Sequence, residues 1–503
     1  MAYSDDSMGL AATHKIKWGL VACAAFLLMI TLRVPFLQQP LIGEEGIFAM
    51  LVSGYQSPVI KSTNDLPSQI DQHCLIVLGH IDQTGDALAR PGRNIVPYCI
   101  LGFVIKPFIA PLNAATLDFD GKSGLIRSVF LGLSSVGFLS LCFLCYLVSL
   151  RLSGYRALLP FLVLFYFTTT HLAIGSSIQP QLDGAFGFLL LSNAALLIYL
   201  GSRPSTPLWS KLPLNFLAGF LVALCKNEWP LTLLVSVVLV YCLMFAYRTI
   251  ASYRGISVDT HQNSRNLSVG IGLILGCLAG MGFCYLFSPN DYLAGFGLMK
   301  NIHGSQGSHL KIFFQTLRFN YQILTPCIVM LILGLWCIWR NWKSLLNQEI
   351  GLFILYILSF GILAGFMQSG WGGDGFPRYY LPPLLLSGVF LITQIPSALP
   401  QLNKAIVSKS FAVIFGLAIV FNYGSLFIKF ERGESLTVPS NYVDVKKALI
   451  GAAAINQKDP FGVMVHQVGL GFYFPGTNFI TLDIGREEVL KWPLPSPKYY
   501  LVM

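Results

Sequence analysis

Long apolar runs alternate along this chain with short polar joints, and many of the joints are basic. An apolar stretch of about 20 residues, at about 1.5 Å of helix rise each, matches a bilayer core of about 30 Å. About eleven such runs can be marked, at 17–37, 124–147, 158–173, 184–200, 212–225, 229–247, 267–288, 322–339, 350–367, 379–396 and 410–429. The 212–225 run is short, and only "KNEWP" separates it from the next. The first run opens on "HKIK" and continues into "RVPFLQQP" without a small-x-small cleavage pattern, so it reads as an uncleaved anchor.

Two regions between and beyond these runs have a different texture. Residues 38–123 form a long first loop, in which "NIVPYCILGFVIKPFIAPL" is apolar but broken by Pro97 and Pro107. Such a segment suits helices lying along an interface, as does "SHLKIFFQTLRFNYQIL" inside the 290–321 loop. The tail carries "FGVMVHQ" and "NFITLDIG", two short strand-like runs. The expected fold is an all-α polytopic membrane protein of about 11 transmembrane helices, with interfacial helices in the first loop. A membrane module over 1–430 would be followed by a small α/β domain over 431–503.

Composition supports the membrane class. Of 503 residues, 54% are hydrophobic and 11% charged, whereas soluble domains carry about a quarter charged residues. The net charge of +10 is spread thinly between apolar runs, which points away from nucleic acid. Lys15, Lys17, Arg151, Arg156, Arg203, Lys211, Arg248, Arg254, Arg265, Arg340, Lys343, Lys404 and Lys409 fall on alternate joints. The positive-inside rule makes that side cytoplasmic, with the N-terminus inside and the tail outside. Ten of the eleven cysteines lie in apolar stretches; Cys74 stands in a polar loop without a loop partner, which argues against a disulfide framework.

This orientation gathers the unusual ionisable residues on the outer face: Glu44, Glu45, Asp183, Lys226, Asp374 and Arg378. Each has a plainer reading. Glu44 and Glu45 could be solvated interfacial acids, Asp183 could cap a helix starting at Gly184, and Lys226 could snorkel from a short span. Asp374 fits an ordinary Gly-Asp turn. Arg127 in "SGLIRSVF" either lies buried against the acids or marks the membrane boundary. His73, His80 and Asp82 match no metal template, and His466 beside "VGLGFYFPG" reads as structural, since that run lacks the ending of a phosphate loop.

The order of these elements resembles the GT-C class of integral membrane glycosyltransferases, and within it the protein O-mannosyltransferases and the lipid A aminoarabinose transferases. "GEEGIFAML" is similar to the acidic pair of the first outer loop, with Glu44 where Asp is usual. "SSIQPQLDGAFGFLLL" places Asp183 at the opening of a span, "LVALCKNEWPLTLL" places Lys226 between two spans, and "FPRYYLPPLLL" supplies a late Arg-Tyr and proline element. The resemblance covers roughly 17–430. It departs in Glu44 and in "KNEWP", and 60–95 fits no pattern, which leaves subfamily and acceptor open.

The resemblance implies transfer of a sugar from a polyprenyl-phosphate donor to a lipid, glycan or protein acceptor at the outer face of a prokaryotic cytoplasmic membrane. Glu44, Asp183 and Glu45 are then the catalytic candidates. Arg378, Lys226, Arg127 and Tyr379 are candidates for the donor phosphate. No cofactor is assigned, and a divalent metal stays open. The residue types suit the chemistry: a carboxylate can take the acceptor's proton while cations meet charge developing on the departing phosphate. A lipid-linked glycan transporter or flippase would instead place charges near the bilayer midplane and show paired broken spans. A glycan polymerase or ligase would concentrate its outer mass in one late loop.

Overall fold

The computed structural model describes residues 5–41, 118–152, 154–180, 182–203, 205–225, 228–253, 261–287 and 404–434. It also describes shorter pieces between 45 and 108, within 289–293 and within 443–451, together with Tyr473 and strands at 461–465, 478–482 and 500–502. The helices are α1 (Asp5–Thr31), α2 (Phe119–Ser149), α3 (Leu159–Thr168), α4 (His171–Ile178), α5 (Gly187–Ser202), α6 (Leu208–Ala223), α7 (Glu228–Tyr253), α8 (His261–Phe287) and α9 (Lys404–Glu431).

Six stretches among the described residues are long and apolar enough to cross a membrane: Thr13–Phe36, Phe119–Ser149, Gly184–Ser202, Trp229–Ala246, Leu267–Phe287 and Ala412–Glu431. Two shorter apolar helices, Arg156–Thr168 and Leu208–Ala223, correspond to two further expected runs. The expected runs at 322–339, 350–367 and 379–396 lie outside the described residues. Leu20, Leu27, Val420 and Phe421 are each more than 60% exposed, as lipid-facing residues can be and a soluble core cannot. The chain is a multi-pass membrane protein.

One expected span is divided. The run at 158–173 becomes α3 and α4, broken at three consecutive threonines. Thr168 and Thr169 donate their hydroxyls back to Leu164 O at 2.7 Å and Phe165 O at 2.8 Å. Thr170 donates to Phe167 O at 2.8 Å and accepts from Ala173 N at 3.3 Å, so its side chain ends one turn and caps the next. Hydropathy counts all three as tolerable in a span and does not register their local hydrogen bonds.

α2 is the organising helix. Asp118 caps it, accepting from Gly121 N at 2.7 Å, and it packs against α1 and α5. Phe138 of α2 meets Phe188 of α5 at 4.7 Å between ring centroids, and Trp18 of α1 stacks on Phe161 of α3 at 6.1 Å. Lipid tails are as apolar as these side chains, so close packing and polar contacts set the arrangement rather than escape from water. α6 and α8 show the packing limit. A Cβ at Gly276 would collide with Phe216 O, and one at Gly219 with Leu273 O, so glycine lets the two backbones touch.

The broken apolar segment of the first loop contains helical residues at 100–108. Leu101 and Ile105 are fully buried while Phe103 is 83% exposed. One buried and one open face are what a helix lying along an interface requires. The two strand-like tail runs are strands β2 (Phe461–Val465) and β3 (Asn478–Leu482). They join β1 (Val59–Ile60) and β4 (Tyr500–Val502) in a parallel sheet of order β1-β3-β2-β4. The sheet takes β1 from the first loop, with Val59 opposite Thr481, and so ties that loop to the tail.

Candidate functional site

Polar residues inside α2 recur on one face. Ser123, Arg127 and Ser134 lie four and seven residues apart, spacings that return to the same side of a helix. All three are buried, and each makes polar contacts to other parts of the chain.

Arg127 is at the centre. Its Nε donates to Gln39 O at 2.9 Å, and its Nη2 donates to Pro40 O at 2.9 Å and to Glu45 Oε2 at 2.7 Å. The ion pair is fully enclosed, with both side chains at most 3% exposed. A buried pair of this kind is tolerable only because hydrogen bonds surround it. Of the two sequence readings of Arg127, the structure shows burial, with the guanidinium on Glu45 and on the backbone ahead of it. Glu45 and Ala49 are helical and buried.

A second side chain reaches the same turn from the tail. The Tyr473 hydroxyl accepts from Leu41 N at 2.6 Å and lies 2.6 Å from Ser123 Oγ. Its ring meets Phe119 edge-on at 5.6 Å, and its carbonyl accepts from Lys122 Nζ at 3.1 Å. Burial pushes the Tyr473 hydroxyl up to about 12; its bonds to Ser123 and Leu41 and the nearby Arg127 pull the other way, while Glu45 adds to the rise. Tyr473 is neutral at any working pH.

Arg33 lies between α1 and the Glu45 segment. It is completely buried, yet among the described residues it meets no carboxylate. Its Nη1 donates to Met29 O at 2.6 Å, its Nη2 to Thr168 O at 3.0 Å and its Nε to Ser177 Oγ at 2.5 Å, and the guanidinium lies 4.3 Å from the Phe138 ring centre. Met29, Thr168 and Ser177 belong to the last turns of α1, α3 and α4. Three helix C-termini, each with unsatisfied carbonyls and partial negative charge, converge on one cation. Ser134 Oγ donates to Ser177 O and satisfies another of these carbonyls.

Asp183 follows directly. It lies in a single π-type turn, Leu182–Phe186, in which Gly184 is non-helical at φ −87°, ψ −119°. α5 starts at Gly187 with Phe186 in the cap position and no side-chain cap. Asp183 is therefore not the cap of a helix beginning at Gly184; the turn interposes itself. A Cβ on Gly184 would come within 2.9 Å of Gln179 O and 3.0 Å of Ser176 O, so the turn is pressed against the end of α4, beside the serine that Arg33 holds. The structure thus brings Glu45 and Arg127 into contact, while Arg33 bonds the end of α4, against which the turn bearing Asp183 is pressed.

Glu44, Lys226, Arg378, Tyr379, Asp374, His73, His80, Asp82 and His466 lie outside the described residues. No cluster of three or more potential metal ligands occurs among the described residues. Sequence reasoning missed Arg33, Ser123 and Tyr473. Ser123 and Arg127 do carry a signal, polar residues at i and i+4 inside an apolar helix. Arg33 shows as a cation just inside a span end. Tyr473 carries none, being 350 residues from Ser123.

No family model and no curated protein matches the sequence. Among solved structures, the chain is similar to the crystal structure of ArnT from Cupriavidus metallidurans bound to undecaprenyl phosphate. The TM-score is 0.46 at 13% identity, over 94% of this chain and 87% of that one.

Proposed function

We propose that this protein is a membrane glycosyltransferase that moves a sugar from a polyprenyl-phosphate donor to a hydroxyl acceptor at the outer face of the membrane. The observation that carries the reading is the buried Arg127–Glu45 pair, which fixes an acid-bearing segment immediately after the first span. One acid of the adjacent pair is committed to holding the loop. Neighbouring residues on a helix point about 100° apart, so we assign Glu44 as the general base and Glu45 as its support.

In this scheme Glu44 takes the acceptor's proton as its oxygen attacks the anomeric carbon, and the bond from that carbon to the donor phosphate breaks. Asp183 orients the acceptor; with Glu44 it would also hold a divalent metal if one is needed. Arg378, Lys226 and Tyr379 meet the phosphate, where planar guanidinium and ammonium groups suit developing charge. Arg127 acts on the loop. The membrane module spans 1–430, and the segment 431–503 forms an outer unit with β1 as its link to the first loop.

The test supplies purified protein in nanodiscs with labelled polyprenyl-phosphate sugars and follows transfer or hydrolysis. Sugar release that falls on the order of 100- to 10,000-fold in Glu44→Gln, with donor binding retained, is the expected result. Donor binding without any sugar release in the unmodified protein would sink the reading. Impermeant thiol labelling checks the face: Cys74 and a cysteine at Thr437 should react from outside, and one at Ser257 only after permeabilisation.

A further inference from the structure

We infer that Tyr473 is a positioning residue for the acid-bearing segment, holding it through a hydrogen-bond chain that runs from the first loop, through the tail, into α2. The Leu41 N–H donates to the Tyr473 hydroxyl at 2.6 Å, and that hydroxyl lies 2.6 Å from Ser123 Oγ, which also reaches Phe119 O at 3.0 Å. A hydroxyl has one proton and two lone pairs, so Tyr473 can accept from Leu41 while it shares a hydrogen bond with Ser123 in either direction.

The contact falls where the backbone has no alternative. Gln39 N donates to Phe36 O at 3.3 Å, Pro40 has no N–H, and the carbonyls of Gln39 and Pro40 both accept from Arg127. Leu41 N–H is thus the first backbone donor after Gln39, and Leu41 is fully buried. Without the Tyr473 hydroxyl it loses its partner inside the protein, a cost borne by the three residues that lead into Glu44. The tail is independently docked on the same turns of α2, by Lys122 Nζ on Tyr473 O and by Lys446 Nζ on Asp120 Oδ2 at 2.5 Å. The consequence for catalysis rests on the transferase reading: a base misplaced by a fraction of an ångström loses rate without losing donor binding.

The experiment compares Tyr473→Phe, which keeps the ring on Phe119, with Ser123→Ala and the unmodified protein. Hydrogen exchange over 39–49 should quicken at least tenfold in Tyr473→Phe and by less in Ser123→Ala, because that change leaves the Leu41 N–H its acceptor. In transfer assays Tyr473→Phe should lower kcat roughly tenfold, with donor KM within about twofold. Unchanged exchange in Tyr473→Phe, or an equal effect from Ser123→Ala, would overturn the chain. Quickened exchange with unchanged kcat would overturn the positioning role. Quickened exchange in a protein that releases no sugar from any donor would uphold the chain and remove the transferase reading alone.

Discussion

Two buried arginines at one end of the bundle solve the same problem differently. Arg127 meets a carboxylate and two carbonyls of an irregular segment. Arg33 meets neutral oxygens at the ends of three helices and an aromatic face. The first pairs a full charge with a full charge and pins the Gln39 and Pro40 backbone to α2. The second spreads a full charge over the partial charges that helix ends already carry, and so joins α1, α3 and α4. The difference separates the loop expected to do chemistry from the scaffold beneath it. Removing one partner of the ion pair strands the other charge, whereas removing Arg33 strands only dipoles.

The largest expected effect tests that separation. Arg127→Met leaves Glu45 buried without its guanidinium and should cost about 3–5 kcal/mol of stability, read as thermal unfolding in detergent. Adding Glu45→Gln to the same protein should recover much of the loss, since no buried charge then remains unpaired. A double variant as unstable as the single would mean that the packing of Arg127, not its charge, holds the segment. Arg33→Met should cost less, about 1–3 kcal/mol from hydrogen bonds lost at the helix ends. No substitution of an acid among the described residues should rescue it. If Arg33→Met proves the more damaging change, the comparison between the two arginines fails.

Much of the scaffold was legible because hydropathy has a long period and needs no partner. The runs at 17–37, 124–147, 184–200, 229–247, 267–288 and 410–429 each meet a helix able to span. The break in 158–173 was not legible, because it depends on where three threonine hydroxyls bond, and composition treats them as neutral. At the site, "GEEG" and Arg127 stood out as charges where charges are expensive. Their contact was one of two open readings of Arg127, since 82 residues separate it from Glu45 and helical periodicity cannot bridge a long loop. Arg33 was not singled out, because its partners are two backbone carbonyls, a serine hydroxyl and an aromatic ring, none of which marks a charge pair in sequence. Tyr473 lies in "VGLGFYFPG", a run read as structural, and nothing in it tells which distant residues the hydroxyl meets.

The smallest effect at neutral pH concerns that tyrosine. A hydroxyl held at about 12 when folded, against its ordinary 10, keeps its proton in the native state after the unfolded chain has lost it. Between those values the unfolded state binds fewer protons than the native one, so stability falls as pH rises. The contribution is complete below pH 10 and lost by the time pH passes 12. Lysines titrate in the same range, so the informative quantity is the difference between the unmodified protein and Tyr473→Phe. Their unfolding temperatures in detergent should run parallel up to about pH 10 and converge above it. Curves that stay parallel through pH 12 would show that ionising Tyr473 costs the fold nothing, and that its hydroxyl does not bridge Leu41 and Ser123.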